Sequence, residues 1–437
     1  MRYHGGMKKL MIIGGGAAGL AAAVAAADAL RARGIRVGAD AGADGVDVAV
    51  CEADERVGRS ILATGNGRCN FSNAQVDAAA YRNAAFVGAA LDELRRAGDA
   101  AGSAADAAVD PVHAFFADLG LVWREEGEGR LYPLANKATS VLEVLRAAAS
   151  DAGVREECGR EAVRLDAPAR KGDRFHVRFA DGAVLHAEAV IVAVGGSAAR
   201  ALVPESLAWE EPRAVLGPLR TDARLVKALN NIRVRCAASL VGRDGAEKAC
   251  ERGEVLFRDY GVSGIAVFNL SRFAEPGDTL RIDLLPQHGE APLEELLRAR
   301  LARLRERGGA GTGDDVLRGM TLPAVGRAVL KAAGLHAEKP LAQRDVPALA
   351  RALKGLALEV RGVGEARQCQ VRRGGFLVEA FDPRTCAARA VPGLHVVGEA
   401  LDVDAPCGGY NLHWAWASGM LAGRAAAESL MEGARRA

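Results

Sequence analysis

The residues best suited to chemistry begin at Gly14-Gly-Gly16-Ala-Ala-Gly19, a G-x-G-x-x-G run. It follows the apolar stretch Lys9-Leu-Met-Ile-Ile13 and opens an Ala-rich segment, so it reads as strand, tight turn and helix. That context makes the glycines a phosphate cradle. Gly14 serves the turn, Gly16 lets backbone approach a pyrophosphate, and Gly19 lets the helix pack closely on the strand. The free N–H groups of the helix start, at Ala17 and Ala18, point a positive dipole end at the phosphates. A bound dinucleotide also needs an acid on its ribose, usually at the end of the second strand. Asp40 has the better spacing but lies in the Gly/Asp-rich loop 38–45, whereas Glu52 closes the alternating strand Val46-Asp-Val-Ala-Val50-Cys51. We assign the ribose contact to Glu52.

Downstream lies Gly58-Arg-Ser-Ile-Leu-Ala-Thr-Gly-Asn-Gly-Arg-Cys-Asn-Phe-Ser-Asn73, rich in hydrogen-bond donors and in backbone free to adopt unusual dihedrals. This stretch resembles the BaiN-like family of bacterial NAD(P)/FAD-dependent oxidoreductases, a branch of the two-dinucleotide-binding-domain flavoproteins. Three more runs carry the resemblance in the same order. They are Gly129-Arg-Leu-Tyr-Pro-Leu-Ala-Asn-Lys-Ala-Thr-Ser140, Gly253-Glu-Val-Leu-Phe-Arg-Asp-Tyr-Gly-Val-Ser-Gly264, and Gly398-Glu-Ala-Leu-Asp-Val-Asp-Ala-Pro-Cys-Gly-Gly-Tyr-Asn-Leu412. The resemblance implies that Arg59, Thr64, Gly65, Asn66, Gly67, Arg68, Cys69 and Asn70 line an FAD site. It implies the same of Gly398, Glu399, Asp402, Gly408, Gly409, Tyr410 and Asn411. One departure is visible: where many members carry a long S-Y-P-x-x-G-S-T-G-D-G run after the central strand, this chain has Ser-Ala-Ala-Arg200. Contacts made by that run do not carry over.

The elements that must position these groups follow from pattern and resemblance together. Val190 to Val194 is a buried-strand run ending at Gly195 and Gly196, which in this superfamily pass close to the nucleotide. Leu394 to Glu399 reads as a last strand delivering Gly398 and Glu399, followed by a long helix through Trp414 and Trp416. The start of that helix should face the electron-rich edge of the flavin. The expected fold is α/β, a Rossmann-like FAD-binding domain of the two-dinucleotide-binding-domain type, formed by residues 1–210 and 355–437. Between them are expected a β-rich lobe (211–285) and a helical subdomain (286–354). The glycine-rich break Gly308–Gly313 follows Arg-Glu-Arg instead of a strand, so it reads as a linker. No second dinucleotide fingerprint occurs. FAD is encoded as the resident cofactor, and NAD(P)H, implied by the family, is expected to visit transiently.

A flavin that delivers hydride needs a partner acid for the acceptor. Tyr260 and Tyr410 are the candidates, each of which also reads as a packing tyrosine; Tyr132 reads as a substrate contact or a shaping residue. Cys69 and Cys407 have no partner at C-x-x-C spacing, and the eight cysteines are scattered, which argues against a dithiol mechanism and against a zinc framework. The eight histidines form no two-histidine metal pattern, and His413 reads as a core or helix-surface residue, so no metal is expected.

Composition bounds the rest. The 437 residues are 50% hydrophobic and 26% charged, with 57 basic against 55 acidic residues, which excludes a disordered chain and any large electrostatic footprint for nucleic acid. Lys8 and Lys9 before Leu10–Ala27 mimic a secretory signal, but glycines interrupt the run. Residues 1–6 read as a disordered leader, with Met7 a second possible start. The expectation is a cytosolic, FAD-dependent, NAD(P)H-linked oxidoreductase with a small-molecule substrate and no membrane or nucleic-acid partner. The family implies reduction of an activated, enone-like C=C bond. An oxidase or dehydrogenase of another small molecule, and an RNA-associated accessory flavoprotein, stand as alternatives.

Overall fold

The computed structural model describes residues 7–100, 109–170 and 173–435, so the leader at residues 1–6 lies outside it. The chain divides into two compact units, residues 1–213 with 372–437, and residues 214–371.

The first unit is built on a five-stranded parallel sheet. Its order is Leu394–Val396, Ala189–Val192, Lys8–Ile13, Val46–Glu52, Arg155–Cys158. Lys8–Ile13 is central, pairing Ile12 with Val50 on one side and with Ile191 on the other. Parallel strands covered on both faces read as continuous apolar runs, as Leu-Met-Ile-Ile and Ala-Val-Ile-Val do here. One side chain breaks this rule. Asp47 is buried on the second strand and is held by Arg155 through bonds of 2.9 and 2.7 Å, with Lys9 at 3.4 Å. Burial alone pushes its carboxyl up, but the Arg155 hydrogen bonds and charge, with Lys9, bring it below its ordinary value.

The helix Ala17–Arg31 is buried almost all round, which explains its run of alanines. It packs against the last helix, Tyr410–Arg435, with no room between the backbones: a Cβ on Gly419 would meet the Ala18 carbonyl oxygen at 2.3 Å, and one on Gly423 the Ala22 carbonyl oxygen at 2.2 Å. The two ends of the sequence are thereby joined in one core. A small antiparallel sheet of Ser72–Asn73, Arg130–Pro133 and Trp123–Glu126 lies in the same unit.

The second unit is a closed six-stranded antiparallel barrel followed in part by helices. Its strands, in order around the barrel, are Leu219–Thr221, Gly261–Ser263, Glu247–Arg258, Arg233–Val241, Thr279–Asp283 and Leu356–Val363. Leu240, Val255, Phe257, Leu280, Ile282 and Leu358 fill its core. Four helices, Glu290–Glu306, Gly313–Leu317, Pro323–Ala332 and Val346–Lys354, come before the last barrel strand. The sequence reading returned the chain to the first domain at 355. In the structure the return falls after Val371, because Leu356–Val363 is needed to close the barrel, pairing with both Leu219–Thr221 and Thr279–Asp283. Likewise the first crossing lies at 213/214 instead of 210/211. The break at 308–313 links two helices, and Thr312 caps the second through a reciprocal pair of bonds with Asp315. No helix among the described residues is long and apolar enough to cross a membrane.

Candidate dinucleotide site

The turn after the first strand is held as phosphate binding requires. The Gly14 N–H donates to the Cys51 carbonyl at 2.8 Å, and its φ of +104° with the Ala193 carbonyl oxygen 2.7 Å from a built Cβ leaves space for glycine alone. Gly19 is fixed by close approach, since a Cβ there would lie 1.9 Å from the Gly14 carbonyl oxygen. Gly16 is the N-cap, has no side-chain cap bond, and is followed by Ala17 and Ala18 with no acidic residue in the first turn. An uncapped helix start of this kind leaves its first amides and positive dipole end for an anion.

Glu52 closes the second strand. Its Oε2 accepts from Gly15 N at 2.7 Å and its Oε1 from Asp54 N at 3.0 Å, which points the carboxylate across the turn. Asp40 is exposed in the turn-rich stretch before that strand. Arg59 is exposed and paired with Asp54.

The run from Thr64 to Asn70 forms a tight loop in which Gly65, Asn66 and Cys69 all have φ between +55° and +57°. Thr64 Oγ1 donates to the Ile61 carbonyl at 2.6 Å, and Cys69 N to the Thr64 carbonyl at 3.2 Å. Arg68 is tied to Asn136 and Glu126 and stacks 4.1 Å above the Tyr132 ring, so the first and second family runs meet here. Tyr132 is thereby a wall of the loop. Cys69 is buried, and burial pushes its thiol up to about 11. Asn70 Oδ1 is buried with no hydrogen-bond partner among the described residues. A buried, unpaired amide oxygen costs free energy unless something satisfies it.

The fourth run closes on the first. Asn73 Nδ2 donates to the Gly408 carbonyl at 3.0 Å, and a Cβ on Gly409, whose φ is +99°, would meet the Ser72 carbonyl oxygen at 2.2 Å and Asn70 Oδ1 at 3.0 Å. The last helix starts at Tyr410 immediately after these glycines. Asn411 clamps the preceding chain, accepting from Ala405 N at 3.0 Å and donating to its carbonyl at 2.9 Å. The Tyr410 hydroxyl donates to the Gln75 carbonyl at 3.2 Å, and burial, then the Asp77 charge, raises its pKa. Gly195 and Gly196, both with positive φ, follow the Ala189–Val192 strand, and Gly195 lies close to the Glu399 carboxylate, 3.9 Å from a built Cβ. Gly398, on the other side, donates to Ser418 Oγ at 3.0 Å, and a Cβ there would touch Ala18 at 3.2 Å. Glu399 accepts from Arg372 N at 2.5 Å; its pKa is raised by burial and only partly lowered by Arg372.

Two of the sequence-selected residues stand apart. Asp402 is buried and spends its carboxylate inside the protein, on Arg82 Nε at 2.8 and 2.7 Å and on Gly374 N at 3.0 Å, so it fastens the chain beneath the site. Tyr260 belongs to the second unit, in the turn between two barrel strands, where its carbonyl accepts from Thr221 N at 3.1 Å. Sequence reasoning missed Arg82, Asn136, Ser418 and Ser60, whose Oγ lies 3.0 Å from a Cβ built on Gly16. Ser60 and Asn136 lie in family runs, and none of the four carries a signal in spacing.

An anion-ready helix start, an acid aimed across the turn, a glycine-lined cradle and an unsatisfied amide oxygen together define a dinucleotide-binding protein of the Rossmann type, and the donor set suits FAD. The chain belongs to the family described as HI0933-like protein Rossmann domain, whose model matches residues 8–425. It is similar to the 3-dehydro-bile acid delta(4,6)-reductase of Clostridium scindens, with 32% identity covering 97% of this chain and all of that one. It is also similar to the ribosomal RNA dihydrouridine synthase of Escherichia coli (28% identity, 89% of this chain, 94% of that one). A third relative is the ribosomal RNA dihydrouridine synthase of Haemophilus influenzae (25%, 93% and 96%). The BaiN-like resemblance is borne out, and the chain is an FAD-dependent flavoprotein oxidoreductase.

Proposed function

We propose that this protein reduces a carbon–carbon double bond conjugated to a carbonyl, in a small enone-like molecule, with NAD(P)H as a transient reductant. The observation that carries this reading is the full-length similarity to a delta(4,6)-reductase. The dihydrouridine synthases support the same bond chemistry, because dihydrouridine is a uracil ring with its carbonyl-conjugated double bond reduced.

FAD, when bound, supplies hydride from its reduced ring to the far carbon of such a bond. The chain's residues do the remainder. The amides of Ala17 and Ala18 hold the pyrophosphate, Glu52 the adenosine ribose, and the loop from Thr64 to Asn70 lines the site with Gly408 and Gly409. Glu399 and Gly195–Gly196 line its far side. The start of the helix at Tyr410 lends positive potential to the edge of the ring that gains charge on reduction. Tyr260 and Tyr410 are the proposed acids. The Tyr410 hydroxyl donates to the Gln75 carbonyl, a bond it would leave to serve as the acid.

The test is an absorption spectrum with anaerobic titration. One FAD per chain, bleached by NADH or NADPH and restored by an unsaturated ketone with one saturated bond formed per flavin, is the expected outcome. Protein that binds no FAD overturns the cofactor assignment. Reduced protein that ignores enones overturns the substrate reading. The two rRNA relatives favour a second reading, with a uridine in RNA as acceptor, and reoxidation by RNA in place of the enone would establish it.

A further inference from the structure

Beneath the glycine loop, four polar side chains from three distant segments meet in an otherwise aromatic environment. Ser72 Oγ lies 2.8 Å from His113 Nε2 and 2.9 Å from His413 Nδ1. Phe71 and Trp123 pack around the His113 ring at centroid distances of 6.4 and 6.1 Å. His413 is fully buried, and its other nitrogen, Nε2, has no hydrogen-bond partner among the described residues. It faces Asp110 Oδ2 at 3.7 Å, beyond hydrogen-bond reach. Asp110 Oδ1 is occupied as the N-cap of the helix Pro111–Asp118, accepting from Val112 N and His113 N at 2.9 and 3.3 Å. Its second oxygen, the one facing His413, accepts no hydrogen bond among the described residues.

We infer that Asp110, His113 and His413 form a binding site for one divalent transition-metal ion of the zinc class. One ligand atom from each lies within 4.8 Å of the others. Ligand atoms of one tetrahedral ion with bonds of about 2.0–2.2 Å sit about 3.3–3.6 Å apart, so the three side chains would draw together by up to about 1.5 Å to close the set. Two imidazoles and a carboxylate suit such an ion. Ser72 holds the far nitrogen of the His413 ring, as partners of metal-bound histidines do. The Asp110 side chain is 16% exposed, so the site has an open edge. An ion here would tie the first turn of the last helix to the helix that begins at Pro111, clamping the floor of the dinucleotide site without belonging to it.

The experiment uses the FAD-loaded full chain freed of metal by a chelator, then dialysed against Co2+, with bound metal counted by mass spectrometry and d–d absorption read beyond the flavin bands. One Co2+ per chain, displaced by Zn2+, is expected. Asp110→Asn keeps the helix cap, because an Asn oxygen caps as well as Asp, but removes the anionic ligand; it should weaken Co2+ at least tenfold with flavin absorbance and circular dichroism unchanged. His413→Gln should abolish the spectrum. No stoichiometric Co2+ in the wild type overturns the site, as does Asp110→Asn binding as tightly as wild type. If His413→Gln does not fold, Asp110→Asn and the wild type decide the matter between them.

Discussion

Gly409 offers a direct measure of how tightly the C-terminal run closes on the N-terminal one. An alanine there meets two separate costs. Its φ of +99° is disfavoured for any residue with a Cβ, and that Cβ would sit 2.2 Å from the Ser72 carbonyl oxygen and 2.4 Å from its carbon, which are backbone atoms unable to rotate away. Strain of about 1–2 kcal/mol adds to about 1–3 kcal/mol for overpacking, giving about 2–5 kcal/mol. Gly67 isolates the first cost, since its φ is +81° and nothing lies within 4 Å of a built Cβ. If these costs fall on the FAD-competent loop, then at about 1.4 kcal/mol per tenfold Gly67→Ala weakens FAD by about 5- to 30-fold, and Gly409→Ala by about 30- to 5,000-fold. FAD affinity is read by quenching of flavin fluorescence on titrating apoprotein, with circular dichroism as the check on folding. Gly409→Ala that is folded and binds FAD within threefold of Gly67→Ala would refute the claim that the loop's contact with Ser72 shapes the site.

Glu52→Gln keeps the side-chain length but loses the charge-assisted bonds from Gly15 and Asp54; FAD retention through gel filtration should fall, and unchanged retention would remove Glu52 from the ribose assignment. Because the Asp47 carboxyl is held below its ordinary value, its contribution to stability is complete above the unfolded pKa of about 3.9 and disappears as pH falls through the folded value. Asp47→Asn should therefore lower stability by about 1–3 kcal/mol at pH 7, less than for a wholly buried pair because Arg155 is one-third exposed, and the loss should shrink toward pH 2–3 in urea unfolding (roughly the range below that pKa). A deficit that stays constant with pH would contradict the pairing. Gly423→Ala gains about 1 kcal/mol of helix propensity but drives a Cβ to 2.2 Å from the Ala22 carbonyl oxygen, so a net loss in thermal stability is expected, and a gain would show that the two helices part easily. Thiol labelling of the native protein should reach exposed Cys250 first, while Cys51 and Cys386, buried and pushed up to about 12, react only on unfolding; early modification of either would mean that the core opens.

Local chemistry was legible from the amino-acid order because it is local. The turn at Gly14, the strand ending at Glu52 and the helix at Ala17 are set by residues within a few positions of one another, where steric limits on φ and the run of apolar side chains leave little choice. The family runs added the expectation of which loops approach the cofactor. What they could not convey is which side chains are already spent. Asp402 shares its run with Glu399, yet only the fold shows it bound to Arg82, 320 residues earlier. Asn411 and Gly409 share a run as well, and only the fold shows one clamping Ala405 while the other presses on Ser72. The end of the inserted unit was also out of reach, because Leu356–Val363 reads as a generic alternating strand, and its membership of the barrel rests on partners far away in sequence. The same holds for Asp110, His113 and His413. Their separation hides any ligand spacing, and it is the start of the last helix, set against Ser72 and the helix Pro111–Asp118, that unites the segments which the order of residues keeps apart.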